Sequence, residues 1–471
     1  MKKITIWGML LMIVMLTGAC QKYLDVKKNS IDKFIETAED CQRILDNHDV
    51  MNIRYPSDGE ASADNYFIGE NIYPGLELES KQIYTWQSGA ISTGSGQWLY
   101  AYQIIYYANV VLESLEKIKS ETDPVQYNHI KGSALFFRAY SLWNIAQVHC
   151  QPYDANATTN LGVPARTTAD LNDTYDRGTV KDTYDRIISD LSQAVDLVPI
   201  NTTPTRPNKT SCEAMLARVY LSMENYDLAL KFADESIQRN GTLLDYNQLS
   251  DTDGSPFVQF NDEVLFHSLM IDNPLLVSGD AFNPGARINA DLVNTYDDND
   301  LRKTLFFNAN LTSGPDPGNP DNTIDVPDGT YRFDGNYSPN SDGTLFNGLT
   351  TAEIYLTRAE CRARLGNLPG ALNDLNFLLV KRWKEGTYVN YTSSNADDVL
   401  RKILDERRKE LVMRGLRWTD LRRLNKDSRF RITLSRSDGN ATYTLPPGDL
   451  RYVLLIGQNV INRSGMQQNP R

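Results

Sequence analysis

Catalysis by this chain would have to run through histidines, carboxylates or an activated nucleophile, and the spacing of those residues argues against most of it. The four histidines, His48, His129, His149 and His267, stand singly, with no HExxH or HxH pair and no nearby cysteine pair. A zinc centre is therefore not expected. No GxSxG elbow is present, and Gly94-Ser95-Gly96 lacks the third glycine and the preceding strand of a dinucleotide loop. Glycoside hydrolysis needs only two carboxylates at a suitable separation, which brings forward Asp297, Asp298 and Asp300 after Tyr296. Their spacing fits a helix exit better, with Asp300 paired to Arg302. Pro315-Asp316-Pro317-Gly318-Asn319-Pro320-Asp321 offers oxygens to calcium but lacks the EF-hand spacing and its glutamate. The expectation is a chain with no catalytic residue, no metal centre and no cofactor, calcium being a weak candidate.

What remains is binding. Sugars present C–H faces and hydroxyl rims, which suit aromatic rings flanked by amides, carboxylates and guanidinium groups. Tyrosine outnumbers phenylalanine 25 to 15, favouring rings that lie partly wet. Two polar, glycine- and proline-rich stretches, about 52–96 and 241–348, carry many of these rings. Tyr66, Tyr73, Trp86, Tyr296 and Tyr331 are the expected ligand-binding residues, although a ring in such a stretch also serves as its own small core. Trp98, Trp143, Trp383 and Trp418 sit in helical patterns and are expected to pack.

Helices must position these stretches. Apolar residues recur at helical spacing from Leu99 to Ile118 (Ile104, Ile105, Ala108, Val111, Leu112, Leu115), and Asp123-Pro124 precedes a second run from Ser133 to Val148. A third runs from Val180 to Val198 and stops at Pro199; another begins near Lys209, turns at Glu224-Asn225 and returns through Ala229, Ala233 and Ile237. That hairpin has an echo, since Ala217, Asn225, Ala229 and Leu230 match Ala359, Asn367, Ala371 and Leu372. Small residues recurring where helices approach are the signature of tetratricopeptide-like hairpins. The predicted fold is mainly α, a scaffold of such hairpins with long irregular loop-rich insertions on one side.

Lys2 and Lys3 precede an apolar run from Ile4 to Leu16 that stops at Thr17-Gly18-Ala19-Cys20, the pattern of a secretory signal peptide over 1–19. The run is too short for a bilayer span. A cysteine directly after small residues makes Cys20 the expected lipidation site, so that a lipid rather than a helix anchors a single domain over 20–471. Hydrophobic residues at 41% and charged residues at 23% give the balance of a packed globule rather than a disordered chain. A net charge of −12 makes nucleic acid a poor partner. Cys41, Cys150, Cys212 and Cys361 allow three disulfide pairings but include no CxxC; helical placement of Cys212 and Cys361 favours packing as small apolar residues.

In order, the segments CQKYLDV from Cys20, GSALFFRAYSLWNIAQVHCQPY from Gly132, GVPARTT from Gly162 and TVKDTYDRIISDLSQAVDLVP from Thr179 resemble the SusD/RagB family of Bacteroidetes nutrient-uptake lipoproteins. ILDERRKELVMRGLRWTDLRRLN, from Ile403 to Asn425, resembles the family's ERRxEL and GxRxxDLRR run, and the end from Tyr452 is similar too. Arg414 departs from the pattern, standing where glutamate is usual, which removes the usual ion-pair partner from that corner. Read from its residues alone, the run is a mixed-charge helix, salt-bridged or solvated. The resemblance implies a non-catalytic protein on the outer membrane, facing the exterior, that captures an oligosaccharide for a SusC-like TonB-dependent transporter. A peptide ligand of the RagB type and a surface glycoside hydrolase are the alternatives.

Overall fold

A computed structural model describes residues 35–87, 96–250, 252, 255–316, 318–338 and 343–471. The signal sequence and Cys20 lie outside the described residues, as does part of the 315–321 stretch.

The helices begin where short polar side chains can satisfy their free N–H groups. Thr37 and Asp40 form a capping box for α1 (Ala38–Leu45). After three short helices (His48–Met51, Asp58–Ser62 and Leu78–Tyr84), the long α2 (Gly96–Lys117) leads to α3 (Pro124–His149), whose Asp123 carboxylate accepts from the N–H groups of Val125 and Gln126. Asp123-Pro124 is thus a helix start rather than a break, and α3 begins nine residues earlier than the apolar run at Ser133 suggests, because Pro124 at its first position needs no N–H partner. Thr179 and Asp182 close a second capping box on α4 (Val180–Leu197), and Asn208 with Ser211 a third on α5 (Lys209–Ser222).

The internal echo has a structural counterpart. Asn225 caps α6 (Tyr226–Arg239) and Asn367 caps α8 (Leu368–Leu379). Each follows a residue of positive φ, Glu224 and Gly366. Ala217, Ala229, Ala359 and Ala371 are fully buried where α5 meets α6 and where α7 (Thr351–Arg364) meets α8. Helix α6 also packs on α7. The 241–348 stretch is therefore an excursion between two successive hairpins of one array. Helices α9 (Ala396–Glu410) and α10 (Arg417–Leu424) complete the scaffold, with α9 against α7 and α8.

Irregular structure was the expectation for both long stretches, and here the fold differs. They share one antiparallel sheet of order β1-β3-β5-β4: β1 (Tyr66–Ile68) comes from the first stretch, and β3 (Ala286–Ile288), β4 (Phe307–Asp316) and β5 (Asn319–Phe333) come from the second. Between β1 and β3 in chain order, β2 (Val264–Phe266) pairs with β6 (Leu349–Thr350). Strands of two or three residues are too short to show an alternating pattern, and the prolines and aspartates within β5 read locally as turns. Together the two stretches enclose a second hydrophobic core distinct from that of the helices, built on Tyr66, Tyr84, Tyr246, Phe257, Phe306, Phe333 and Phe346 among others.

The four described cysteines are free and buried. Among the described residues, no helix is long and apolar enough to cross a membrane.

Candidate functional site

The five expected ligand rings fall mostly inside this second core. The Tyr66 hydroxyl donates to Ala61 O at 2.7 Å, the Tyr296 hydroxyl to Lys409 O at 2.8 Å and the Trp86 indole N–H to Ser62 O at 3.0 Å. Tyr73 is buried with its ring centroid 5.8 Å from that of Tyr84. Tyr331 is half-buried in β5, in register with Ile288 and Ala309. A ring packed on both faces with its polar tip bonded has nothing left for a ligand. Tyr66, Tyr73 and Tyr296 therefore serve as core, with Tyr331 packed half-buried against it, because large rings supply the most apolar area and a two-stretch core needs it first. Trp86 alone among the five reaches a concave surface.

That surface is a shallow open cleft of about 700 Å³ with the solvent at its mouth included. One wall is the segment Leu78–Gln87, giving Glu79, Gln82, Trp86 and Gln87; another is the start of α2, with Gly96, Gln97 and Trp98. The floor is His149, at the C-terminal end of α3, and the closing side is formed by Arg451, Leu454, Leu455, Gly457 and Arg471. The residues between Gln87 and Gly96, including Gly94 and Ser95, lie outside the described ones.

Each wall is held from behind. Gln97 Oε1 accepts from the backbone N–H groups of Ser57 and Asp58 at 2.7 and 2.9 Å, and its amide N–H donates to Ser57 Oγ and Asp58 Oδ1. Asn273, from the second stretch, donates to the same two side-chain oxygens. Trp98 stacks on Tyr102 at 4.8 Å and meets His149 edge-on at 5.4 Å. Burial pushes the His149 imidazole down to about 4, so it is neutral at neutral pH, with Nδ1 3.1 Å from Leu454 O. Arg451 is committed to Asp449 and to the carbonyls of Trp86 and Thr444. Glu79, Gln82 and Gln87, by contrast, make no side-chain hydrogen bond among the described residues and line the cleft with free acceptors and donors. The sequence reading missed these residues, and it assigned Trp98 to packing alone. The one local signal was the run of glutamines at 82, 87 and 97 flanking the glycine-rich stretch.

Burial, reinforced by the nearby Glu79 charge, pushes the Asp58 carboxyl up to about 7 against the opposing hydrogen bonds of Gln97 and Asn273. A carboxyl whose folded value lies above its unfolded one contributes stability that is complete below about pH 4 and is lost as pH rises through about 7. Asp58→Asn keeps the acceptor oxygen and removes the titration. Denaturant unfolding is expected to show a smaller loss of stability for the variant than for the wild type between about pH 4 and pH 8. Glu60, also pushed up to about 7 by burial, leaves a residual slope in both. Parallel profiles would contradict the assignment.

The ERRxEL-like run is largely buried, and most of its charges are paired. Arg302, 0% exposed, binds Asp300 through two bonds of 2.9 and 2.7 Å, Glu406 at 2.5 Å and Glu410 at 3.0 Å. Arg382 joins Glu410 to Glu263 at 2.9 and 2.6 Å. Towards the hairpins, Asp420 bridges Arg407 and Arg423, and Arg423 reaches Glu360. Towards the first stretch, Arg408 and Arg417 converge on Asp64. The run is thus a hub tying α7, both long stretches and the short helix Asp58–Ser62 together; Gly415 N–H donates to Glu60 in that helix. It fixes the wall that carries Asp58. The Asp300–Arg302 pair expected from spacing is part of it. Arg414, with no ion-pair partner among the described residues, lies 3.6 Å over the Tyr337 ring and donates to Gly335 O. A cation–π contact replaces a salt bridge there. Among the described residues, no group of three His, Cys, Asp or Glu is placed to hold a metal ion.

Comparison with known proteins agrees with this architecture. Residues 22–221 match a SusD-like family described as "Starch-binding associating with outer membrane", and residues 336–468 match the SusD family. A SusD-like protein of Formosa agariphila is 24% identical over 486 aligned positions, spanning 90% of this chain and 92% of that one. A SusD superfamily protein of Bacteroides thetaiotaomicron superposes with a TM-score of 0.71 at 24% identity, covering 93% of this chain and all of the other. A SusD-like carbohydrate binding protein of Bacteroides vulgatus gives 0.66 at 19% identity, covering 91% and 97%. The two matched segments take in both the first stretch with its cleft wall and the buried charge hub, and this chain belongs to the SusD family.

Proposed function

We propose that the protein captures an oligosaccharide in the cleft at the cell surface and passes it, chemically unaltered, to a SusC-like TonB-dependent transporter in the outer membrane. The cleft carries this reading. It brings the edges of two largely buried indoles, Trp86 and Trp98, together with free carboxamide and carboxylate groups, apolar and polar chemistry suited to a sugar's C–H face and its hydroxyl rim. Of the cleft's two carboxylates, Asp58 is tied to Gln97 and Asn273 and Glu79 is left to meet a ligand, while the acidic residues of the hub at 300, 406 and 410 lie outside the cleft, locked in ion pairs away from solvent. The carbohydrate-binding relative from Bacteroides vulgatus and the starch-binding family description support the ligand class.

Titrating purified protein calorimetrically against panels of oligosaccharides and peptides, with reducing-end release followed in the same samples, tests the reading. Saturable glycan binding without new reducing ends is expected; peptide binding alone, or cleavage of the polymer, overturns it.

The anchor is a separate part of the proposal. A diacylglyceryl group on Cys20 would hold the mature chain on the membrane where no helix of the described residues can. Cys20→Ala is expected to move the protein from the membrane fraction to the soluble fraction on cell fractionation. Retention of the variant in the membrane at wild-type level would rule that anchor out.

A further inference from the structure

The rim of the cleft continues onto the exposed face of α2. Gly96 lines the cleft, and a Cβ built on it would lie 3.6 Å from the Tyr100 ring. With glycine at that position, no side chain of residue 96 covers the ring edge. On the ring's face stands the Arg54 guanidinium, 4.9 Å from the centroid, and Arg54 is itself fixed by a 3.1 Å bond to Gln103 Oε1. The Tyr100 hydroxyl has no hydrogen-bond partner among the described residues, unlike Tyr66, Tyr102 and Tyr296, whose hydroxyls all donate to backbone carbonyls. Tyr100 is only half-buried, and its neighbour Leu99 is 63% exposed. Arg54, Tyr100 and Gln103 are thus a braced ring, an amide and a free hydroxyl placed one helical turn beyond the cleft.

Building on the capture reading, we infer that Tyr100, braced by Arg54, is an outer stacking position that holds a further sugar unit of the same chain, so that the site selects for oligosaccharide length. The cleft engages one part of the ligand and the rim the next. A ligand too short to reach Tyr100 gains nothing from it.

The test uses oligosaccharides of increasing length, cut from whichever polysaccharide the wild-type protein retains in affinity electrophoresis. For the wild type, affinity is expected to rise about tenfold once the chain spans cleft and rim, the effect of one added stacking contact. Tyr100→Ala is expected to abolish that rise while leaving the affinity for the shortest bound oligosaccharide unchanged, and Tyr100→Phe to retain most of it. Matching melting curves for the variants show that the fold is intact. A length-dependent rise that survives in Tyr100→Ala overturns the inference and leaves the capture reading standing. Retention of no polysaccharide by the wild type overturns both.

Discussion

Replacing Arg302 by methionine is expected to lower the folding stability by about 3–5 kcal/mol, measured by chemical denaturation. Arg302 lies between Asp300, Glu406 and Glu410 with no exposed surface. Methionine fills the aliphatic volume and removes the charge, leaving three carboxylates in a buried site with only Lys409, Lys402 and Arg382 to offset them. Desolvation of an unpaired carboxylate is the costly term. The pH dependence gives a second readout. In the wild type the guanidinium holds Asp300 and Glu406 below the usual carboxylate range against the opposite pull of burial, so their contribution is present at neutral pH and is lost as pH falls through those depressed values. Without Arg302, burial dominates and the carboxyls are raised instead. Their penalty then disappears when they take up protons, and the variant's deficit is expected to shrink as pH falls towards about 4. A deficit below about 1 kcal/mol, the ordinary size for a surface ion pair, would show that the hub does not bear on stability.

The double substitution Gln82→Ala and Gln87→Ala is expected to weaken oligosaccharide binding by about ten- to a hundredfold, corresponding to two lost hydrogen bonds of roughly 0.5–1.5 kcal/mol each. Neither side chain makes a hydrogen bond among the described residues, so the melting temperature is expected to stay near the wild-type value, which separates this pair from Trp98 or Gln97. Those two residues brace the walls, and their loss would mix folding with binding. Wild-type affinity in the double variant, over the panel that the wild type binds, would place the ligand elsewhere on the protein.

The helical half of this architecture was largely legible from the residues. The starts of α4, α5, α6 and α8 follow from Thr179, Asn208, Asn225 and Asn367, each of which caps a free N–H a few bonds away. The same locality made the Asp300–Arg302 pair readable from a two-residue spacing. The sheet was not legible, because β1 and β3 are three residues long and find each other across more than two hundred residues of chain. The candidate ligand rings resist a reading from sequence for a related reason. Tyr66, Tyr73 and Tyr296 have the composition of a sugar platform, but composition is equally that of a core, and only the partner facing each ring distinguishes the two.

Local periodicity, caps and spacing determined by themselves the helices and the repeated hairpin, and the resemblance of short segments pointed to the family. Backbone hydrogen bonding and helical geometry act over a few residues, so one stretch of chain contains the whole cause. The tertiary structure alone decided which rings stay wet, which charges are buried and where a cleft opens. The cleft draws Gln82, Gln97, His149 and Leu454 from four distant places, and burial is a property of what packs against a side chain rather than of its neighbours in sequence.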